Sequence, residues 1–478
     1  MKKPAFRRPR ALRLRKGAIA LLAAAAAWPA LAARPNILFI LSDDQRADAI
    51  HALGNESIQT PNLDRLVQEG TVFERAYCMG GLTGAVCMPS RAMILSSLSL
   101  FRVRHDLKGQ ATWPELLRRA GYQTFATGKW HNGAESLARS FESAKAVFLG
   151  GMCNHLQVPV RDLEAGKLGP KRIGKKFSSE LFADAAVEFL RRRDRSRPFC
   201  LYVAFTAPHD PRMPPRRFLE PYRKNPPPIP VNFMPAHPFD NGELTIRDEQ
   251  LAPWPRTPEV VQEHLAAYYG MIAHMDAQIG RILDALEETG AGADTLIVFT
   301  SDQGLAVGSH GLMGKQNLYE HSMRVPLIFA GLDVPKNVRR KALCYLLDLG
   351  PTVCGFAGVK PPAPIDGIDL RPAIRSPERA ARSEVLLAYR SFQRAVCGPR
   401  WKLIRYPQIN KTQLFDLETD PYELKNLDGG GRFDDLEAEL LGRLKALQKQ
   451  FGDALPLTSP HPKSPVPHFP NGGKKAGS

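Results

Sequence analysis

The sequence predicts an α/β fold: a large, mostly parallel sheet flanked by helices, with a small α+β subdomain at its C-terminal end. Three observations carry this expectation. Continuous apolar runs of strand length alternate with helical stretches, and each run ends in polar, chemically capable residues. Around residue 371 that alternation gives way to short strands followed by one helix. At 478 residues the chain exceeds the usual size of one domain, and its 44% hydrophobic and 24% charged content is that of an ordinary globular protein.

The N-terminus stands apart. Residues 2–16 carry eight Lys and Arg, Gly17 to Trp28 is rich in Ala and Leu, and Ala30-Leu31-Ala32 has the small-x-small pattern of a cleavage site. A secretory signal peptide is expected over 1–33, with cleavage near Ala32 or Ala33 and a periplasmic or secreted product. Pro9-Arg10 follows Arg7-Arg8 where a twin-arginine signal would turn apolar, so the general export route is favoured. No later stretch is apolar for the ~20 residues of a membrane-spanning helix, so no stable membrane insertion is expected. The formal charge of +17, less the eight leader positives, leaves +9 for the mature chain. That excess suits an acidic substrate, and no nucleic-acid partner is expected.

In the large domain, 34–370, Asn36-Ile37-Leu38-Phe39-Ile40-Leu41 is a strand buried on both faces, ending in Ser42-Asp43-Asp44. Thr60-Pro61 caps a helix with Leu63, Leu66 and Val67 on one face, and Thr71-Val72-Phe73 returns to extended structure. Pro89 is read as the first residue of a helix that places Cys87 just ahead of its N-terminus, a setting receptive to anions, with Arg91 one turn in. Trp113–Ala120 is helical, and Tyr122–Ala126 is a strand leading to Lys129 and His131. Leu181–Arg191 is helical, and Phe199–Phe205 is a strand leading to His209. Tyr268–Glu288 is a long amphipathic helix, and Thr295–Thr300 is a strand ending at Asp302-Gln303. The stretch from His209 to about Pro258, rich in proline, reads as an excursion over the site. The subdomain, 371–453, holds strands at Glu384–Ala388, Trp401–Ile404 and Gln413–Asp416 and a helix from about Asp434 to Phe451. Residues 454–478 are expected to be a disordered tail.

In an open parallel sheet the ligand crevice lies outside the carboxyl ends of the strands, so Asp43, Asp44, Lys129, His131, His209, Asp302 and Gln303 are expected on one edge. Asp43, Asp44, Asp302 and Gln303 offer only oxygen ligands, the preference of a hard divalent cation such as calcium or magnesium. Lys129 and His131 alternate along extended backbone and reach one ligand; either, or His209, could protonate a leaving group. Lys315 sits in a glycine-containing loop. The seven cysteines are odd in number and irregularly spaced; six remain when Cys87 is set aside, their pairing is open, and no Cys-x-x-Cys pattern points to zinc.

These motifs together resemble the type I sulfatases of the alkaline phosphatase superfamily. The resemblance rests on Pro35-Asn36 through Asp43-Asp44, Cys87-Met88-Pro89-Ser90-Arg91, Thr127-Gly128-Lys129-Trp130-His131 and Ala207-Pro208-His209. It continues through Ser301-Asp302-Gln303-Gly304, Gly314-Lys315 and the ending Leu414–Pro421. It implies an alkaline-phosphatase-like fold and hydrolysis of a sulfate ester, with a sulfated carbohydrate as substrate. Cys87 would be oxidised to formylglycine by a formylglycine-generating enzyme. One calcium ion would be held by Asp43, Asp44, Asp302, Gln303 and the modified Cys87; Arg91 would hold the modified side chain, and Lys129, His131, His209 and Lys315 would bind sulfate or move protons. Two positions depart from the family pattern: Gln303 stands where Asn or His is usual, and Leu95-Ser96-Ser97-Leu98 stands where Leu-Thr-Gly-Arg is usual. The alternatives are a phosphonate monoester or phosphodiester hydrolase of the same superfamily, and a non-catalytic binder of sulfated ligands that keeps the Cys87 thiol.

Overall fold

The computed structural model describes Met1 and residues 34–469, so the expected leader lies almost wholly outside the described residues. Among those residues no helix is long and apolar enough to cross a membrane. The described residues from Pro35 onward form one compact unit containing both the large domain and the subdomain.

A 12-stranded sheet runs through the large domain. Its middle is five parallel strands in the spatial order Thr295–Ser301, Asn36–Asp43, Phe199–Pro208, Gln123–Lys129 and Ser143–Phe148. The first four are the apolar runs read from the sequence, now direct neighbours, so their polar C-terminal ends share one edge. In the Asn36 strand, Ile37, Phe39 and Leu41 enter one apolar core while Leu38 and Ile40 enter another. Burial on both faces is why these strands read as unbroken apolar runs rather than alternating ones. Leu327–Ala330 and Pro159–Glu164 flank the parallel block in antiparallel fashion.

Several helices differ in detail from expectation. Pro61–Gln68 buries Leu63, Leu66 and Val67, but Thr60 does not cap it: its hydroxyl donates to Asp64 Oδ1 at 3.0 Å and accepts from the His51 N–H at 2.9 Å. The long helix begins at Pro258 rather than Tyr268, capped by the Thr257 side chain, which accepts the Val260 N–H. The Cys87–Ser96 helix begins at Cys87 itself, with Val86 already in helical conformation. Pro89 is tolerated there because the N–H groups of a first turn have no intrahelical acceptor. Every residue of this helix but Met88 is buried.

The subdomain sheet has five strands in the order Lys411–Asp416, Trp401–Tyr406, Gln393–Cys397, Val385–Tyr389 and Gly80–Gly81. Gln393–Cys397 was not expected, and Gly80–Gly81 belongs to the large domain, pairing parallel with Ala388 and Tyr389 just before Cys87. The helix Asp434–Phe451 is present as expected. The tail is a correction, because residues 454–469 are not left free. Leu457 O accepts from Arg405 Nε at 2.7 Å, the Lys463 N–H donates to Gln408 O at 2.7 Å, and Pro465 O accepts the Asp240 N–H at 2.8 Å. Low apolar content did not prevent order here because the strap's backbone groups find partners on the subdomain and the excursion. Residues 470–478 lie outside the described residues. None of the seven cysteines is paired in a disulfide.

Candidate active site

The site is built where the four strands end. Asp43 terminates the Asn36 strand, and Asp44 follows with a φ of 69°, a left-handed conformation uncommon outside glycine. Its N–H donates to Asp302 Oδ1 at 3.2 Å, and its carbonyl accepts the Tyr268 hydroxyl at 2.6 Å. Lys129 arrives because the preceding Gly128, at φ 95°, lets two strands approach: a Cβ there would lie 1.8 Å from Ala204 O. Lys315 comes from the loop after Gly314, and Arg91 from the helix that Cys87 opens.

These side chains meet. One ligand atom from each of Asp43, Asp44, Cys87 and His209 lies within 4.8 Å of the others. Lys129 Nζ donates to Asp43 Oδ2. Lys315 Nζ donates to both Asp44 oxygens at 2.8 Å and to Cys87 Sγ at 3.3 Å, and Gln303 Nε2 donates to Cys87 Sγ at 3.1 Å. Arg91 Nε donates to Asp302 Oδ2 and Arg91 Nη1 to Lys129 O, both at 2.8 Å. His209 Nδ1 donates to Asp210 O at 2.8 Å, which leaves Nε2 facing Asp44 Oδ2 at 3.7 Å. His131 stands nearby with a φ of 67°, and its Nδ1 is buried without a hydrogen-bond partner.

The electrostatics follow from burial. Desolvation works against the Asp43 carboxylate, yet Lys129, Arg91 and other cations hold its pKa far below the usual range. Asp302 is raised to about 7 by burial and by the facing Asp43. Burial also pushes the Cys87 thiol up to about 12 despite Lys129 and Lys315, so at neutral pH it is a protonated thiol and a poor nucleophile. Burial first, and then Lys129 and Arg91, push His131 down to about 3, leaving it a neutral imidazole.

Asp43 Oδ1 and Gln303 Oε1 are buried without partners, and two buried carboxylates repel one another across the site. Orphaned oxygens beside crowded carboxylates fit a hard divalent cation. Of the expected ligand set, Asp302 is engaged by Arg91 and by the N–H groups of Asp44 and Gln303, while His209 stands inside the cluster.

The sequence reading missed several contributors. Ser90, inside the Cys87 pentapeptide, donates its hydroxyl to Asp302 O at 2.6 Å. Arg247, from the excursion, pairs with Asp210 beside His209, and Gln316 Oε1 accepts the Lys315 N–H at 3.0 Å. Ser90 and Gln316 adjoin recognised residues and were findable by adjacency; Arg247 carried no local signal.

Comparison with known proteins identifies the family. A family model described as Sulfatase matches residues 35–359, and one described as N-sulphoglucosamine sulphohydrolase, C-terminal, matches residues 308–450. The chain belongs to the sulfatase family. It is 29% identical over 503 residues to an N-acetylglucosamine-6-O-sulfatase of Bacteroides thetaiotaomicron, covering 88% of this chain and 87% of that protein. It is 29% identical over 488 residues to an arylsulfatase of Clostridium perfringens, covering 91% of this chain and 100% of that one. A solved structure described as a complex with its substrate D-glucosamine-2-N,6-O-disulfate superposes with a TM-score of 0.77 at 27% identity, covering 89% of this chain and 99% of that one. The protein is thus a sulfatase enzyme, on an α/β fold shared with solved sulfatases.

Proposed function

We propose that this sulfatase removes a sulfate ester from a sulfated sugar, and that residue 87 acts after conversion of its thiol to formylglycine by a formylglycine-generating enzyme in the course of export. The observation that carries this is the convergence of Lys315 Nζ and the Gln303 amide on Cys87 Sγ, inside a buried group of carboxylates and cations. The names of the amino-sugar sulfatase relative and of the disulfated glucosamine complex support the substrate class.

Asp43, Asp44, Gln303 and residue 87 would hold one calcium ion, with Asp302 supporting them through its bonds to Arg91 and to the Asp44 N–H. When present, calcium supplies positive charge against sulfate oxygens, and the hydrated aldehyde supplies the attacking hydroxyl. The remaining work belongs to this chain's side chains. Asp43, Asp44 and Asp302 face Lys129, Lys315 and Arg91, so a bound dication leaves a positive excess for an anionic substrate. The Lys315 and Lys129 ammonium groups donate to sulfate oxygens. His209, its Nδ1 proton fixed on Asp210 O, directs Nε2 into the site and, when Nε2 also carries a proton, gives that proton to the leaving sugar oxygen and is left as the neutral imidazole. His131, neutral at physiological pH, orients the anion through a neutral hydrogen bond.

The test compares kcat/KM for an aryl sulfate, an aryl phosphodiester and a panel of sulfated glucosamines, since that ratio reports transition-state stabilisation. A sulfated sugar is expected to be preferred. A phosphodiester preferred by more than about a hundredfold, roughly 2.7 kcal/mol, would mark the enzyme as a phosphodiester or phosphonate monoester hydrolase instead.

A further inference from the structure

The proline-rich excursion carries a turn, Arg247–Leu251, whose side chains reach both loops that supply the site. Arg247 Nη2 donates to Asp210 Oδ1 at 3.0 Å, next to His209. Asp248 Oδ2 accepts from Gln316 Nε2 at 2.8 Å. Glu249, only 3% exposed, accepts the Met313 N–H on Oε2 and the Gly314 N–H on Oε1, each at 2.8 Å. Arg256 holds that carboxylate in turn, donating from Nη2 to Glu249 Oε2 at 2.9 Å, with its guanidinium 3.9 Å from the Trp254 ring centroid.

Met313 and Gly314 lead directly into Lys315, and Glu249 acts on their backbone rather than on the lysine itself. A carboxylate can accept both N–H groups because it is an acceptor on two oxygens; a glutamine amide accepts on one and turns an NH2 toward the other. The loop has little slack, since a Cβ at Gly314 would lie 2.4 Å from Gln316 Oε1 and 3.0 Å from Glu249 Oε1. A lysine side chain extends any error in its backbone to the ammonium, and a misplacement of about 1 Å at a reacting centre can lower a rate on the order of a hundredfold.

We infer that Glu249 is a positioning residue for Lys315: clamped by Arg256, it fixes the Met313–Gly314 backbone so that the Lys315 ammonium stands against residue 87 and the bound anion. This rests on the assignment of Lys315 to the anion site proposed above. The test is a substitution cycle assayed on an aryl sulfate, comprising Lys315→Ala, Glu249→Gln, Glu249→Asp and the two doubles, each with its thermal midpoint. Wild-type kcat/KM in Lys315→Ala would overturn the anion-site assignment itself. With Lys315→Ala impaired, Glu249→Gln is expected to lower kcat/KM about 10- to 100-fold with the fold retained, and Glu249→Asp to lower it less. Once Lys315 is alanine, neither is expected to lower it by more than about 3-fold further, because residues acting as a unit are not additive. Losses that multiply in the doubles, or a Glu249→Gln enzyme equal to wild type, overturn the positioning role and leave the anion site standing. If Glu249→Gln does not fold, the Glu249→Asp arm decides between these outcomes by the same criterion.

Discussion

Arg91 shows how closely structure and chemistry are joined at single residues. Its side chain is fully buried, with Nε on Asp302 and Nη1 on the Lys129 carbonyl. Removing one member of a buried ion pair costs about 3–5 kcal/mol where the other stays ionised, as Asp43, 3.7 Å from Arg91 Nη2, does. Arg91→Ala is therefore expected to lose that much stability in urea denaturation as well as activity; a loss below about 1 kcal/mol would show that Asp43 has sufficient compensation from Lys129. The residues legible in the sequence were those whose position announces them. Asp43, Asp44, Lys129, His209, Asp302 and Gln303 follow apolar runs, and Cys87 and Arg91 lie in one pentapeptide. Glu249 and Arg247 escaped notice because they sit in a stretch without periodicity, where a charged residue reads as solvated surface until the fold brings Met313 or Asp210 beside it.

At the scale of elements, the parallel strands set the site by approaching one another closely, and Gly128 is the point of least tolerance. Gly128→Ala meets the Ala204 carbonyl and carries a side chain at φ 95°. Left-handed strain alone costs about 1–3 kcal/mol, and the clash adds to it. The variant is expected to unfold at clearly lower denaturant and, because Lys129 follows directly, to lose kcat/KM beyond what its stability explains; wild-type activity would mean that the strands can part without moving Lys129. The central strands were readable because burial on both faces writes an unbroken apolar run. Gln393–Cys397 was not, since its Arg394 breaks the run; the Asp453 carboxylate pairs with that arginine in the fold, a contact no local pattern reveals. Nor does local pattern show that Gly80–Gly81 completes the subdomain sheet, since pairing of residues so distant in sequence is set by tertiary packing.

For the whole molecule, the interface between the two parts holds a buried cluster of His237, His310 and His321 around Tyr319. Burial holds His237 at about 4 and His310 at about 3, against an ordinary 6.5. Below pH 6.5 the unfolded chain binds protons that the folded one refuses, so each group's stabilising contribution is present above that pH and is lost as the pH falls toward the folded value. The loss is about 1.4 kcal/mol per group for each pH unit between roughly 6 and 4. Asp276, raised to about 6 by burial, works in the opposite sense, so the informative quantity is a difference. His310→Phe, which can keep the stacking on Tyr319, is expected to flatten the acid limb of stability against pH by about one proton relative to wild type; parallel curves would contradict it. Calcium is expected to act globally too. At about 100 times its dissociation constant a ligand specific for the folded state adds about 2.7 kcal/mol. Chelation is thus expected to lower the thermal midpoint and abolish turnover, with calcium restoring both; full activity after exhaustive chelation would contradict the metal assignment.

The central proposal is that residue 87 works as formylglycine; burial pushes the unmodified thiol up to about 12, which makes it a poor nucleophile. Peptide mass spectrometry across Cys87, on protein isolated from its own cell, reads the state of that side chain without any intermediary. The peptide is expected to carry the aldehyde or its hydrate in proportion to specific activity; fully active protein carrying an unmodified Cys87 thiol would contradict the claim.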